Sequence, residues 1–169
     1  MNHPMHTASV PVFKQLLNSL DAILTKAEEH AITKKIDASV FLQARLSPDM
    51  FPLIRQVQIA ADFAKGVSAR LAGVPVPEYE DSEVSFADLH ARLAKTLVFI
   101  QQLDANSFDG SETLEIVLRP GTPKEKKLSG SAYLFSYGLP QFLFHATTTY
   151  AILRHHGVEL GKRDFMGEY

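Results

Sequence analysis

Residues 139–157, LPQFLFHATTTYAILRHHG, indicate a helix with an unusual core face. Pro140 near its start and Gly157 just past its end are typical of helix boundaries. At about 100° per residue, Thr147 and Arg154 share one face, which we expect to meet solvent. The opposite face carries Gln141, His145, Thr148, Thr149, Ile152 and His156, flanked by Phe142, Phe144 and Leu153. This stretch, helix 4, therefore places polar groups where a core face should be.

Polar side chains on an inward face need partners, because an unpaired buried polar group costs about 1–3 kcal/mol. One interpretation is a satisfied core cluster, in which threonines donate to carbonyl oxygens one turn earlier. The other is a pocket for a metal or a small ligand. On helix 2, Gln58 lies at the edge of the core stripe, as a boundary residue or as a contact that faces His145. Arg55 lies further from that stripe, where it reaches the mouth of a pocket or faces solvent. The sequence leaves both interpretations open.

Three more helices are predicted before helix 4. Helix 1 has an apolar stripe at steps of three and four over residues 10–27. Helix 2 is predicted from Ser47-Pro48, a capping serine followed by proline, to Ala72, with Gly73 as its C-cap. Helix 3 begins near Ser85 and runs to Leu103, with Asp88 completing an imperfect capping box. A shorter helical piece over residues 37–46 is also compatible with the pattern.

The remaining segments connect these helices. Residues 74–84 form a long, proline-rich and acidic linker between helices 2 and 3. Alternating apolar residues over 113–119, a turn at 120–123 and a return over 124–128 predict a small β-hairpin before helix 4. The tail 158–169 shows no periodicity and is predicted to be irregular. We expect an all-α four-helix bundle with this hairpin insert, and a single domain over residues 1–169.

Composition narrows the class of protein. The 169 residues are 46% apolar and 21% charged with a net charge of −2, an ordinary balance for a globular protein. No basic field favours nucleic acid, and no apolar run is long enough to span a bilayer. Cysteine is absent, which excludes disulfides, thiolate nucleophiles and iron–sulfur clusters. The first residues, MNHPMH, lack the features of a signal peptide, so we expect a cytoplasmic protein. His3 and His6 are predicted to lie in a mobile terminus.

Helix 2 carries apolar residues on two faces. Ile54, Val57 and Ala61 belong to its core stripe, whereas Ile59 and Phe63 lie on nearly the opposite side. The cover for this second face could be the segment 37–46, the C-terminal tail or a second subunit. Together with 11 Phe and 5 Tyr, the second face leads us to expect a homodimer.

Four strings of residues carry a resemblance to a known family. They are ASVPVF at 8–13, ARLSPDMFPL at 44–53, DFAKG at 62–66 and AILRHHGVELGKRDF at 151–165. With them the chain resembles an uncharacterised bacterial family, DUF1993, of the DinB/YfiT-like superfamily. The resemblance covers essentially the whole chain. It implies a DinB-like four-helix bundle with a long connection after helix 2.

The resemblance also implies a candidate site. Many members of the superfamily bind a divalent metal through three histidines, one from helix 2 and two from a His-x-x-x-His pair on helix 4. In this sequence His145 falls at the second histidine of that pair, whereas Gln141 falls at the first and Gln58 near the helix 2 position. An amide oxygen is a poor ligand for Zn²⁺ or Ni²⁺. We therefore expect no resident cofactor, although His145 with Gln58 and Gln141 remains a weak candidate for a divalent metal.

Two classes of function follow. The first is a non-catalytic or small-ligand-binding bundle with a degenerate metal site, in which Gln58, Gln141, His145 and Thr149 bond one another or a small polar ligand. The second is a divergent metal-dependent enzyme, a thiol transferase or a related activity. In it His145 would act as sole metal ligand or as general base, near Thr149 or Tyr150. The sequence favours the first.

Overall fold

The computed structural model describes residues 3–169; Met1 and Asn2, part of the signal-peptide argument, lie outside this range. Helices 1 to 4 correspond to α2 (Val10–Lys34), α4 (Leu53–Leu71), α5 (Phe86–Gln101) and α7 (Leu139–His155). The shorter helices are α1 (Pro4–Thr7), α3 (Ala38–Leu42), α6 (Gly130–Ala132) and α8 (Lys162–Met166). The fold is thus mostly helical with a small antiparallel hairpin, and the predicted count of four helices omits the shorter ones.

The start of α4 differs from the prediction. Ser47 does not cap a helix: its hydroxyl donates to Asp49, and its carbonyl oxygen accepts the N–H of Met50 in a turn. Proline has no N–H and clashes with the carbonyl four residues earlier, so a helix that began at Pro48 would be broken by Pro52. The helix begins at Leu53 instead. It ends at Leu71, and Gly73 adopts the left-handed conformation (φ 67°) expected of a C-cap glycine.

Helix α5 begins where the sequence indicates. Ser85 accepts the N–H of Asp88, and the Asp88 carboxylate accepts the N–H of Ser85 at 3.0 Å, which forms a complete capping box. The segment 74–84 before it contains neither helix nor strand, as predicted for a long connection. Several of its side chains contact α4 and α5, and they are described with the site.

The hairpin consists of β1 (Glu115–Leu118) and β2 (Lys126–Ser129), antiparallel, with Ile116 opposite Leu128. Ile116 is its buried residue. The chain then becomes helical earlier than predicted. α6 continues through a π-helical segment, Tyr133–Gly138, directly into α7. The sequence hides this because Gly130, Ser131 and Gly138 suggest a loop.

Both ends of the described chain are more ordered than predicted. His3 pairs with Asp109 at 2.8 Å, and the ring of His6 meets Phe108 edge to face, so the prediction of a mobile N-terminus is wrong for these residues. The tail forms α8, whose Asp164 accepts from Lys26 of α2 at 2.6 Å. A five-residue helix gives no periodic signal, and tertiary contacts decide whether it forms.

The apolar residues form one core cluster to which all four long helices contribute. Helix α4 lies against α2, α5, α7 and the π-helical segment. Phe63, on its second apolar face, packs against Tyr137 and His145 of the same chain. Phe63 and Ile59 both stay partly exposed, so this face is only partly covered within the chain. Within residues 3–169, no helix is long and apolar enough to cross a membrane.

Candidate functional site

His145 and Gln56 form a buried pair between α7 and α4. The His145 Nδ1 lies 2.7 Å from the Oε1 of Gln56, and the Nε2 of Gln56 donates to the carbonyl oxygen of Phe51 at 3.0 Å. The second bond fixes which end of the amide faces the ring, and an amide oxygen only accepts. His145 therefore carries its proton on Nδ1, which leaves a lone pair on Nε2.

Aromatic rings surround this imidazole. Phe63 lies almost parallel to it at 6.1 Å between centroids, Phe144 meets it edge to face at 5.1 Å, and Phe63 in turn meets Tyr137 at 5.7 Å. Burial in this setting lowers the pKa of His145 to about 4, and the positive charge of Arg55 contributes in the same direction. At neutral pH His145 is thus an uncharged ring.

The Nε2 atom of His145 makes no hydrogen bond to the protein within residues 3–169 and is not completely enclosed. In the described part of the chain, the buried side-chain nitrogen and oxygen atoms without a hydrogen-bond partner are the Oγ of Ser68 and the Nε of Arg92. The Nε2 of His145 is not among them, although it makes no hydrogen bond to the protein there, so it keeps some exposure. His145 as a whole is 8% exposed. The site can therefore accept a hydrogen bond from a small molecule or from water.

Gln58 makes its hydrogen bonds to residues other than His145. Its Nε2 donates to Glu83 of the linker at 2.8 Å, and its Oε1 accepts from Arg55 at 3.1 Å. The residue that meets His145 is Gln56, which the sequence analysis did not single out. The signal for it lies in the helical spacing Gln56, Ala60, Phe63, because positions i, i+4 and i+7 form one ridge. Phe63 on this ridge stacks on His145.

The other predicted residues do not join one cluster with His145. The Thr149 hydroxyl donates to the carbonyl oxygen of His145 at 2.9 Å, and Thr148 donates to that of Phe144 at 2.7 Å. These are the bonds one turn back that the core interpretation predicts. Gln141 is half-buried and makes no side-chain hydrogen bond within residues 3–169. It lines a surface cavity of about 350 Å³ with Ser136, Tyr137, Pro140 and Phe144.

The residues present do not fit the three-histidine metal site that the superfamily implies. His145 supplies one imidazole, the Oε1 of Gln58 is held by Arg55, and the Oε1 of Gln56 is held by His145. In the part of the chain that the structure describes, no group of three or more His, Asp or Glu residues is arranged to hold a metal ion. The donor set is therefore too poor in nitrogen and carboxylate ligands for a tightly bound transition metal.

Beside this site lies a charged cluster that the sequence analysis missed. Its centre is Arg92 of α5, whose side chain is 1% exposed. Arg92 donates to Asp62 of α4 and to Glu83 of the linker, each at 2.9 Å, and its Nη2 lies 3.0 Å from Asp81. Burial works against the charged guanidinium, but the bond to Glu83 and the neighbouring carboxylates outweigh it and raise the pKa of Arg92. This cluster attaches the linker to the helices.

The cluster continues to the His145 site through Arg55. Arg55 contacts both Asp81 of the linker and Gln58, and its charge helps to lower the pKa of His145. Tyr79 of the linker lies between two ammonium groups, those of Lys65 and Lys95, each 3.9 Å from the ring centroid. The linker therefore helps to position Arg55, the charge that lowers the pKa of His145.

These features define a helical protein with a single His–Gln pair in an aromatic setting, bordered by a linker held through ion pairs. The family model for the domain of unknown function DUF1993 matches residues 5–166. The chain belongs to this family, as the resemblance predicted. A crystal structure of a DinB family member protein from Shewanella denitrificans is similar at 40% sequence identity and a TM-score of 0.91. The match covers 97% of this chain and 92% of that one. No curated protein matches the chain.

Proposed function

We propose that this DinB-like protein binds a small polar ligand and does not act as a metal-dependent enzyme. The observation that carries the proposal is the state of His145: a neutral ring with its Nδ1–H directed to Gln56 and a free acceptor at Nε2. Because the ring stays uncharged down to a pH near its pKa of about 4, it offers the same acceptor across the physiological range.

The neighbouring cavity of about 350 Å³ supplies a place for such a ligand. Its wall includes Gln141, whose amide has both donors and an acceptor, and Phe144, which touches the imidazole. An amide or hydroxyl group of the ligand fits Gln141, and Phe144 connects this cavity to the His145 ring. Ligand sites commonly combine apolar walls with a few such polar groups.

The first experiment compares metal content and thermal stability. Untagged wild-type protein, His145→Ala and the control His155→Ala are analysed by plasma mass spectrometry and melted with Zn²⁺, Ni²⁺ or Mn²⁺. His155 is exposed and controls for loss of a surface imidazole. We expect substoichiometric metal in all three proteins, and we expect that none of the three ions changes the Tm of any of them. Stoichiometric metal that disappears in His145→Ala, and stays in His155→Ala, would overturn the proposal and favour the metal-dependent enzyme.

A catalytic role for His145 is the second candidate, and the unprotonated Nε2 is the observation in its favour. A base works best when its pKa lies near the working pH, so a pKa of about 4 makes His145 a weak one. Thr149, moreover, gives its hydroxyl hydrogen to a backbone carbonyl. A thiol-transfer assay of the wild type against His145→Ala tests this candidate directly.

We further propose that the chain is a single domain, is cytoplasmic and forms a homodimer. Beside the partly exposed second face of α4, support for the dimer comes from exposed apolar residues of the π-helical segment and α7. Phe135, Leu143 and Phe144 are 53%, 40% and 54% exposed. Large apolar side chains grouped on a surface are typical of interaction sites. A monomer mass by light scattering at micromolar concentration would contradict the dimer.

A further inference from the structure

A second cavity, of about 250 Å³, lies between α4, the end of β1 and the π-helical segment. Three aromatic residues line it, Phe63, Tyr133 and Tyr137, together with the two arginines Arg70 and Arg119. Aromatic walls with a few charged groups are typical of sites for small organic molecules. This cavity adjoins the site above, because Phe63 stacks on His145 and Tyr137 also lines the cavity of about 350 Å³. Its charged and hydroxyl groups, those of Arg70, Arg119 and Tyr133, take no part in the His145 site.

Tyr133 presents a hydrogen-bond donor for which the protein supplies no acceptor. Its side chain is buried, at 1% exposure, and its oxygen lies 3.1 Å from the Nη1 of Arg70. A guanidinium only donates, so this oxygen is the acceptor and its own O–H hydrogen is free. No acceptor for that hydrogen is found within residues 3–169. Burial raises the pKa of Tyr133, which keeps the hydrogen in place at neutral pH.

The two arginines lack carboxylate partners in the same described range. Arg70 uses its Nη1 on Gly66 and Tyr133 and forms no ion pair, and Arg119 forms none either. Asp62 also lines the cavity, but the Oδ1 of its carboxylate is paired with two cations, Lys65 and Arg92. The unneutralised charge of the cavity is therefore positive. Guanidinium groups bind carboxylates well, because their paired N–H groups match the two oxygens.

The backbone around the cavity is held in unusual conformations. Arg119 has a φ of 52°, a left-handed conformation that non-glycine residues rarely adopt. Two bonds from Thr122 to the Arg119 carbonyl oxygen fix the turn there. Tyr133 and Tyr137 belong to the π-helical segment, and π-helical turns recur at functional sites. Such strain persists where the surrounding structure maintains it, and it is concentrated at binding sites.

We infer that this cavity binds a small aromatic carboxylate. The ring lies among Phe63, Tyr133 and Tyr137, and the carboxylate accepts from the Tyr133 hydroxyl and from Arg70 and Arg119. An aliphatic anion would leave the aromatic walls unused, and a neutral aromatic would leave the two guanidinium groups and the Tyr133 donor without an acceptor. The inference does not depend on the proposed role of His145.

The test uses benzoate as the probe, with benzamide as its neutral counterpart and acetate as an anion without a ring. Binding to the full chain is measured by calorimetry at low salt. We expect saturable benzoate binding in the millimolar range or tighter, at least about tenfold tighter than benzamide or acetate, because charge-assisted bonds are the stronger ones. No saturable binding of benzoate, or equal affinity for benzamide, would overturn the inference.

Variants locate the site. Tyr133→Phe removes the donor and keeps the ring, and Arg119→Gly removes a guanidinium and suits the left-handed backbone. Each is expected to weaken benzoate binding by about three- to tenfold. Arg154→Ala, an exposed arginine on α7, is the control and should bind like wild type. Unchanged affinity in both Tyr133→Phe and Arg119→Gly would refute the assignment even if benzoate binds. His145→Ala should keep the preference for benzoate, so failure of this inference and of the proposed function can be told apart.

Discussion

Arg92→Met removes the charge that joins the linker 74–84 to the helices. Methionine replaces the aliphatic stem of the arginine with an unbranched apolar side chain, so most of the space beside α5 stays filled. The carboxylates of Asp62, Asp81 and Glu83 then lose their shared cation, and the carbonyl oxygen of Glu80 loses its donor. We expect lower stability and a linker that detaches from α4 and α5.

The magnitude follows from the burial of each partner. Breaking a buried ion pair by removing one member costs about 3–5 kcal/mol. Asp62 and Asp81 are 37% and 39% exposed, so solvent screens much of their share, whereas Glu83 is 11% exposed and counts almost fully. The substitution also removes the Nε of Arg92, which is buried without a hydrogen-bond partner, and this gain offsets a further part of the lost stability. We expect a net loss of about 3 kcal/mol, which for a chain of this size lowers Tm by roughly 6–12 °C.

Urea unfolding and limited proteolysis with a Glu-specific protease measure the two effects. Arg154→Met, on an exposed face of α7, is the matched control and should behave like wild type. Glu83→Gln combined with Arg92→Met should recover part of the loss, because the most buried unpaired carboxylate is then neutral. If Arg92→Met matches wild type in both stability and cleavage of residues 74–84, the ion cluster does not hold the linker and the argument is refuted.

The remaining predictions concern His145 and two glycines. Because the folded pKa of His145, about 4, lies below the ordinary 6.5, its neutral form adds stability that is complete above pH 6.5 and is lost as pH falls towards 4. The loss is at most on the order of 3 kcal/mol, and thermal melts should show a flatter pH dependence for His145→Gln. Gly138→Ala places a Cβ 2.6 Å from Val67 Cγ2 and should cost about 1–3 kcal/mol in urea unfolding. Val67→Ala should relieve part of that cost, and an additive double variant would contradict it. Gly167→Ala, at a φ of 61° and against Ser19, should cost about 1 kcal/mol or more and expose α8 to proteolysis, whereas unchanged protection would contradict the contact.

The sequence predicted the long helices because each carries many residues of one period. The Ser85 capping box is equally local, and it was found. Three features escaped for physical reasons. Pro52 overrides the start signal at Ser47. The π-helical segment 133–138 has no pattern of its own, and α8 is too short to show one. The last two depend on contacts with distant parts of the chain, whereas the effect of Pro52 is local and was outweighed by the capping signal at Ser47.

The sequence predicted His145 of the candidate site, but it did not predict the partner Gln56 or the neighbouring Arg92 cluster. His145 was placed on the inward face of its helix because Thr147 and Arg154 mark the opposite face, and it is buried as expected. Its partner was misplaced because angular positions on one helix do not say which ridge meets a given neighbour. Arg92 shares a face with Leu89 and Thr96, so its burial was readable in principle. What could not be read locally is that an acidic linker returns to meet it.

The position of Gln56 shows that counting the missing histidines does not fully describe how this site differs from a three-histidine metal site. A metal-binding histidine commonly donates its second N–H to a carboxylate or carbonyl oxygen that orients the ring. Gln56 gives His145 this orientation, with Nε2 left as the free atom. The ring is thus oriented as a ligand would be, while the neighbouring donors are engaged elsewhere: Gln58 with the linker and Thr149 with a backbone carbonyl. An oriented, neutral imidazole without fellow ligands is suited to accepting one hydrogen bond, and its selectivity must come from the shape of the aromatic walls and from Gln141. This combination is the reason for proposing that the site binds a small polar molecule.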